Sequence, residues 1–221
     1  MNNDIQFLLS LSISITLIIG VIRYKLIDSS YYPFFYLAGI SLLAEVGNYF
    51  FTKNKIYPFV TATINIFCLI EFIFYTWLFH LWGLFNFKLK IIMAIVVSYF
   101  MVWIVLVLFA GTVFKPLFYF RILYSLTLIF FAVTTFNKFV IQERAAIFKN
   151  PKFWIVAGII IFFSFYLLIQ SANLSLFGAT TSKVFRRGLT GVVSYSNLIV
   201  NLIFAIGALC IPRKKNFTKL F

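Results

Sequence analysis

The chain has 221 residues, of which 63% are hydrophobic, 21% aromatic and only 11% charged. A soluble domain carries roughly 25% charged residues, so there are too few polar side chains here to cover a water-facing surface. The net charge of +14 comes from 19 Lys and Arg against 5 Asp and Glu. The cations sit at the ends of apolar runs rather than on one face of a folded domain. That sets nucleic acid aside and assigns them to anionic lipid headgroups.

A helix needs about 20 apolar residues to cross a bilayer. In chain order, runs of that kind cover 5–22, 32–51, 58–82, 91–109, 117–139, 153–174 and 189–211. They predict an all-α membrane protein, a single polytopic transmembrane domain over 1–221, built as a bundle of about seven helices. The first run has no basic segment ahead of it, since Met1 to Asp4 carries only an acid, and its first cations, Arg23 and Lys25, follow it. This is the pattern of a retained first helix and not of a cleaved signal peptide. The links are short, so successive helices are expected as antiparallel neighbours. The longest, Val140 to Lys152 and Phe177 to Gly188, are too short to hold an enzyme domain, and a basic tail runs from Arg213 to Phe221. No internal repeat is visible, which weighs against transporter folds made of inverted halves.

With seven spans, Arg23, Lys25, Lys88, Lys90, Lys138, Arg144, Lys149, Lys152, Arg213, Lys214, Lys215 and Lys219 fall on one side. Lys53, Lys55, Lys115, Lys183, Arg186 and Arg187 fall on the other, and Arg121 stays inside a span. The count is twelve against six. The positive-inside rule then predicts an external N-terminus and a cytoplasmic C-terminus, in the inner (cytoplasmic) membrane of a bacterium.

The polar residues within the spans carry the functional information. An ionisable group in hydrocarbon costs roughly 2.5–3.5 kcal/mol, needs a partner or water, and marks function by default. Glu45, Glu71 and Arg121 are of this kind. At about 1.5 Å rise per residue, Glu45 lies about 12 Å below Lys53, Arg121 about 9 Å below Lys115, and Glu71 about 24 Å below Lys55. The first two depths match, which predicts an ion pair between the second and fifth spans. The two glutamates are not level, so a carboxylate dyad is not expected.

Other polar residues recur at i, i+3, i+4 and i+7, the spacing of one helix face. Ser41, Glu45 and Asn48 share a face, as do Thr61, Asn65 and Cys68, with Glu71 at its edge. Tyr166, Gln170 and Asn173 form a third stripe, and Thr190, Ser194, Asn197 and Asn201 a fourth. Asn65, Tyr166 and Asn197 come out near the depth of Glu45, which predicts a polar layer in the outer half of the bundle. Two readings of that layer stay open: polar groups that hold helices together, or a ligand or ion site. The candidate residues are Glu45, Asn48, Asn65, Glu71, Arg121, Tyr166, Asn197 and Asn201.

Cys68 and Cys210 lie inside apolar runs and read as small buried side chains, and His80 reads as an interfacial residue at a span end. Two scattered Cys and one His do not make a standard zinc set. The sequence has no H-E-x-x-H, G-x-S-x-G or P-loop motif, so no catalytic residue, metal or cofactor is assigned and no enzyme is expected. No lysine sits in the middle of the seventh span, which excludes a rhodopsin-type retinal Schiff base.

Several stretches resemble small seven-helix integral membrane proteins of Bacteroidota-type bacteria. They are Leu43-Ala44-Glu45-Val46-Gly47-Asn48, Leu69-Ile70-Glu71-Phe72, Asn150-Pro151-Lys152-Phe153-Trp154-Ile155-Val156-Ala157-Gly158 and Ala208-Leu209-Cys210-Ile211-Pro212. The resemblance implies the same seven-helix fold over nearly the whole chain. Genes of that group lie beside two-component signalling genes, which implies a sensory or accessory role.

The leading expectation is therefore a membrane sensor or signalling accessory protein without its own output domain, acting through a separate protein partner. Two alternatives stand beside it. One is a small transporter or channel with a polar site in the outer half of the bundle. The other is an oligomerising membrane effector or regulator, for example in phage defence. A homo-oligomer belongs to the last reading.

Overall fold

The structure, a computed structural model, describes residues 3–86, 88–142, 147–174 and 183–212, without the side chains at 139, 140, 142, 183–187, 189, 190 and 193. The basic tail, Arg144, the first half of the link from Phe177 to Gly188, and the side chains of Thr190, Lys183, Arg186 and Arg187 lie outside the described residues.

In chain order the helices are α1 (Asn3–Ser10), α2 (Ile13–Arg23), α3 (Tyr32–Lys53), α4 (Tyr57–Leu81), α5 (Leu89–Ala110), α6 (Phe118–Gln142), α7 (Pro151–Ala172) and α8 (Lys183–Cys210). No strand occurs among the described residues. Six segments are long and apolar enough to cross a membrane: Asn3–Leu26, Ser29–Lys53, Tyr57–Leu81, Leu89–Ala110, Phe118–Lys138 and Pro151–Ala172. The apolar part of α8 is shorter, Ser194–Cys210. This is the make-up of a multi-pass membrane protein.

The first crossing is one span but two helices. Ser10 and Ser12 turn their hydroxyls back onto the carbonyls of Phe7 and Leu9, at 2.9 and 2.6 Å. Such bonds compete with the main-chain ladder and bend a helix. The chain tightens here: Ser12 N donates to Leu9 O and Ile15 N to Ser12 O, three residues apart instead of four. The other ends follow local chemistry. Asn150 accepts from Lys152 N at 2.9 Å, with Pro151 as the first helical residue of α7, a helix start that satisfies one orphan N–H and lacks another. Gly111, at φ 75°, closes α5 in the left-handed region.

Around the bundle, neighbours run from α1 and α2 to α3, α4, α6, α7, α8 and back to α1 and α2. Helix α5 packs outside this ring on α4 and α6 and buries only Ile92 fully. Phe109, at its end, is 86% exposed, which in a membrane is a lipid-facing side chain. Lipid is as apolar as leucine, so burial alone does not hold such helices together; close packing and internal hydrogen bonds do. Gly158 lets the Phe204 ring settle directly on α7, and at Gly207 an added Cβ would lie 3.0 Å from Ile155 Cγ1 and 3.5 Å from Ile155 N, so α8 approaches α7 closely there.

Cations mark the two ends. At one, Arg23 donates to the terminal carbonyls of α8, Ala208, Leu209 and Ile211, at 2.6–2.9 Å. Lys138 reaches Gly83 O at 3.3 Å, and Lys152 lies 5.7 Å over the Trp82 ring. At the other, Lys53 lies 5.7 Å over Tyr49, and Tyr49 donates to Asp4 at 3.0 Å. The carbonyl of Lys115 is at this second end too, bound to Asn65. We call these the Arg23 end and the Lys53 end.

Candidate functional site

Within the ring a cavity of about 460 Å³ opens at the Lys53 end. Its rim includes Asn3, which is exposed, and Tyr49 and Thr52, which are half-buried. Polar side chains enter it from four directions. Helix α1 supplies Gln6 and Ser10; α3 supplies Ser41, Glu45 and Asn48; α4 supplies Cys68, Glu71 and Tyr75; α8 supplies Ser194, Asn197 and Asn201. Tyr124 of α6 and Tyr166 of α7 complete the deep wall.

The stripe on α3 and the part of the α8 stripe from Ser194 to Asn201 therefore point inward, because the bundle interior is where a polar face in a lipid-embedded helix finds polar neighbours. Glu45 is half-buried and faces the Ser10 hydroxyl. Glu71 is buried, and Tyr124 donates to its Oε2 at 3.3 Å. The Cys68 sulfur lies 3.6 Å from the Tyr166 hydroxyl. Asn201 donates to Ser12 at 2.8 Å, and Thr16 donates to the Asn201 carbonyl at 3.4 Å, so this residue both lines the cavity and ties α8 to α2. The Oδ1 of Asn48 is buried and has no hydrogen-bond partner.

Below the cavity the interior fills with rings. Phe34 meets Phe204 edge-on at 5.3 Å. Phe163 meets Tyr75 and Tyr124 edge-on at 5.8 and 5.6 Å. Towards the Arg23 end, Leu78, Phe79, Leu128, Ile155 and Ile159 have no exposed surface. The polar space is thus one-sided.

Asn65 and Arg121 belong to a different arrangement. The Asn65 amide donates to the carbonyls of Val113 and Lys115 at 2.7 and 2.8 Å. Its Oδ1 accepts from Leu117 N at 3.4 Å and from Arg121 Nη2 at 2.7 Å. Its own carbonyl accepts from Trp103 at 3.2 Å. One asparagine in α4 thereby fastens the turn between α5 and α6. The expected Glu45–Arg121 ion pair does not form: neither side chain reaches the other, and Arg121 lies outside the cavity wall. Equal depth in two helices does not bring residues together when α4 and the turn at 111–117 stand between them.

Of the candidates, Glu45, Asn48, Glu71, Tyr166, Asn197 and Asn201 share one cavity. Gln170 is buried outside it, with an unpartnered Oε1, and Asn173 bonds its own helix at Ile169. His80 is half-buried near the Arg23 end of α4. Sequence reasoning missed Ser10, Tyr75 and Tyr124. The signal was there at helical spacing: Asn3, Gln6 and Ser10 stand at i, i+3 and i+7, Tyr75 follows Glu71 by four residues, and Tyr124 follows Arg121 by three. Among the described residues no three His, Cys, Asp or Glu side chains converge as a metal set. Comparisons of the chain with protein-family models, with curated proteins and with solved structures give no match.

Proposed function

We propose that this chain is a membrane-embedded sensor: it binds a small molecule in the cavity at the Lys53 end and passes that state to a separate partner protein. One observation carries the reading. A cavity of about 460 Å³, within the range of small-molecule sites, sets a few polar groups in a largely apolar wall, opens at one end and is sealed towards the other by packed rings. A receptor pocket has this form. A conducting pore needs polar or wet space at both ends.

The same reading includes seven crossings, with α8 as the last, an external Lys53 end and a bacterial inner membrane. Helix α8 has 28 residues, about 42 Å at the usual rise, and runs parallel to α2, to which Asn201 and Arg23 bind it. The excess of cations at the Arg23 end supports a cytoplasmic position for that end.

Copurification from native membranes tests the proposal. Wild-type protein should carry a small molecule, and Ala44→Trp, which fills the wall, should lose it. If the variant retains what the wild type binds, the cavity is not the binding site and the reading fails. The transporter alternative is favoured by one feature, the presence of Glu45 and Glu71 in the same space. Flux of the copurified molecule through protein-containing liposomes would establish it instead.

A further inference from the structure

The chain holds 19 Lys and Arg, yet among the described residues none lines the cavity, and neither does the histidine. Two of its 5 acidic residues do, Glu45 and Glu71. The sign of the whole molecule is inverted inside its one-sided pocket.

The deep end is specific in two further ways. Glu71 is only 5% exposed, and among the described residues its one hydrogen bond comes from the Tyr124 hydroxyl and no cation pairs with it. Around it stand the aromatic rings of Tyr75, Tyr124 and Tyr166, with Tyr124 and Tyr166 edge-to-face at 6.1 Å. A carboxylate set among tyrosines, whose hydroxyl oxygens accept N–H bonds and whose rings attract positive charge, suits an organic cation. Nearer the mouth, the unpartnered Asn48 Oδ1 adds a second acceptor, and both ask for N–H donors. Among the described residues no three His, Cys, Asp or Glu side chains converge here as a zinc-type site requires. The remaining wall, with Ile64, Phe67 and Phe162 among its residues, is apolar and suits a hydrocarbon body.

We infer that the cavity takes a protonated amine with an apolar or aromatic body. Its ammonium sits at Glu71 among the three tyrosines, and Glu45 draws it in at the mouth. This inference rests on the sensor reading, in that it names the ligand class of the same cavity. An ammonium group reaches a membrane cavity from two sources, a free amine or a phosphatidylethanolamine headgroup.

The test uses the full chain in nanodiscs of phosphatidylglycerol, with radiolabelled 2-phenylethylammonium as the probe. Unlabelled 2-phenylethanol and 3-phenylpropanoate are neutral and anionic competitors of similar shape. Saturable binding is expected that neither competitor displaces. Glu71→Gln keeps an oxygen for Tyr124 to donate to but removes the charge, and should weaken binding roughly thirtyfold, as loss of one partner from a buried charged contact does. Glu45→Gln, the second variant should the first fail to fold, should slow association and lower its salt dependence. Phosphatidylethanolamine in the nanodiscs should compete if the headgroup is the source and leave binding unchanged if a free amine is.

Equal displacement by the alcohol or the carboxylate would overturn the inference, as would Glu71→Gln binding within about twofold of wild type. If the neutral or anionic compound binds and Ala44→Trp abolishes it, the sensor cavity stands and only its ligand class is wrong. If none of the three compounds binds, the amine assignment fails as well, while copurification still decides the cavity by itself.

Discussion

An arginine inside a membrane is tolerable when its N–H groups are met, and a carboxylate is only one way of meeting them. Arg121 is 6% exposed, and one nitrogen donates to the neutral oxygen of Asn65 while its Nε has no hydrogen-bond partner. Asn65 in turn uses its amide group on the α5–α6 turn, so the two residues act as a unit. We expect Asn65→Leu and Arg121→Leu to be non-additive in a double-mutant cycle, with a coupling of about 1–3 kcal/mol. Unfolding in detergent or bilayer measures it. Glu45→Leu and Arg121→Leu should add independently, and strong coupling between those two would contradict the geometry. The sequence showed that Asn65, Arg121 and Glu45 must all be satisfied inside the bundle. It could not show by whom, because depth along a helix is one coordinate and the facing direction is another. The turn at 111–117 folds back to Asn65, which no count from Lys115 anticipates. For the cavity the pattern was more telling: Ser41, Glu45 and Asn48 repeat at helical spacing, and so do Ser194, Asn197 and Asn201, so their shared inward face was legible before any coordinates.

Helices α3 to α7 were legible to within a few residues. The apolar run over 32–51 becomes α3, Tyr32–Lys53, and the run over 91–109 becomes α5, Leu89–Ala110, because apolar length and helix length coincide in a bilayer. The break between α1 and α2 was not legible. Ser10 and Ser12 look like tolerated small polar residues, and their effect depends on where their hydroxyls turn. Packing between helices was equally silent in sequence. Gly158 and Gly47 are both helical glycines, but a methyl group at Gly158 would collide with the buried Phe204 ring, whereas one at Gly47 meets nothing within 4 Å. Phe204 cannot retreat easily, since Phe34 packs edge-on against it. Gly158→Ala should therefore lower stability by about 1–3 kcal/mol, the usual result of overpacking. Gly47→Ala should be neutral or slightly stabilising, as alanine favours the helix over glycine. Thermal unfolding of both variants in the same detergent checks the contrast, and equal behaviour would mean that α7 and α8 do not pack as closely as described.

For the whole molecule the decisive quantity is which end faces which compartment, since the cavity has one mouth. Arg23, Lys138 and Lys152 gather at the end away from that mouth, where they bind carbonyls and a ring. Fewer cations, Lys53, Lys55 and Lys115 among the described residues, mark the mouth side; the other end has Lys25, Lys88, Lys90 and Lys149 besides. Lys and Arg are retained in the cytoplasm during insertion, so the mouth should open outside the cell and sample external solutes. In a chain carrying Cys68→Ala and Cys210→Ala, single cysteines at Asn54, Phe148 or Pro212 report this directly, because all three positions are exposed. A membrane-impermeant maleimide should label Asn54→Cys in intact cells, and Phe148→Cys and Pro212→Cys only after lysis. Asn54 protected while Phe148 and Pro212 react would turn the mouth to the cytoplasm and make any ligand an internal metabolite. Pro212→Cys labelled together with Asn54→Cys would leave α8 short of a full crossing, and the parallel pairing of α8 with α2 through Arg23 and Asn201 would then be wrong. The expected pattern requires an odd number of crossings, so with six apolar helices already long enough it needs α8 as the seventh.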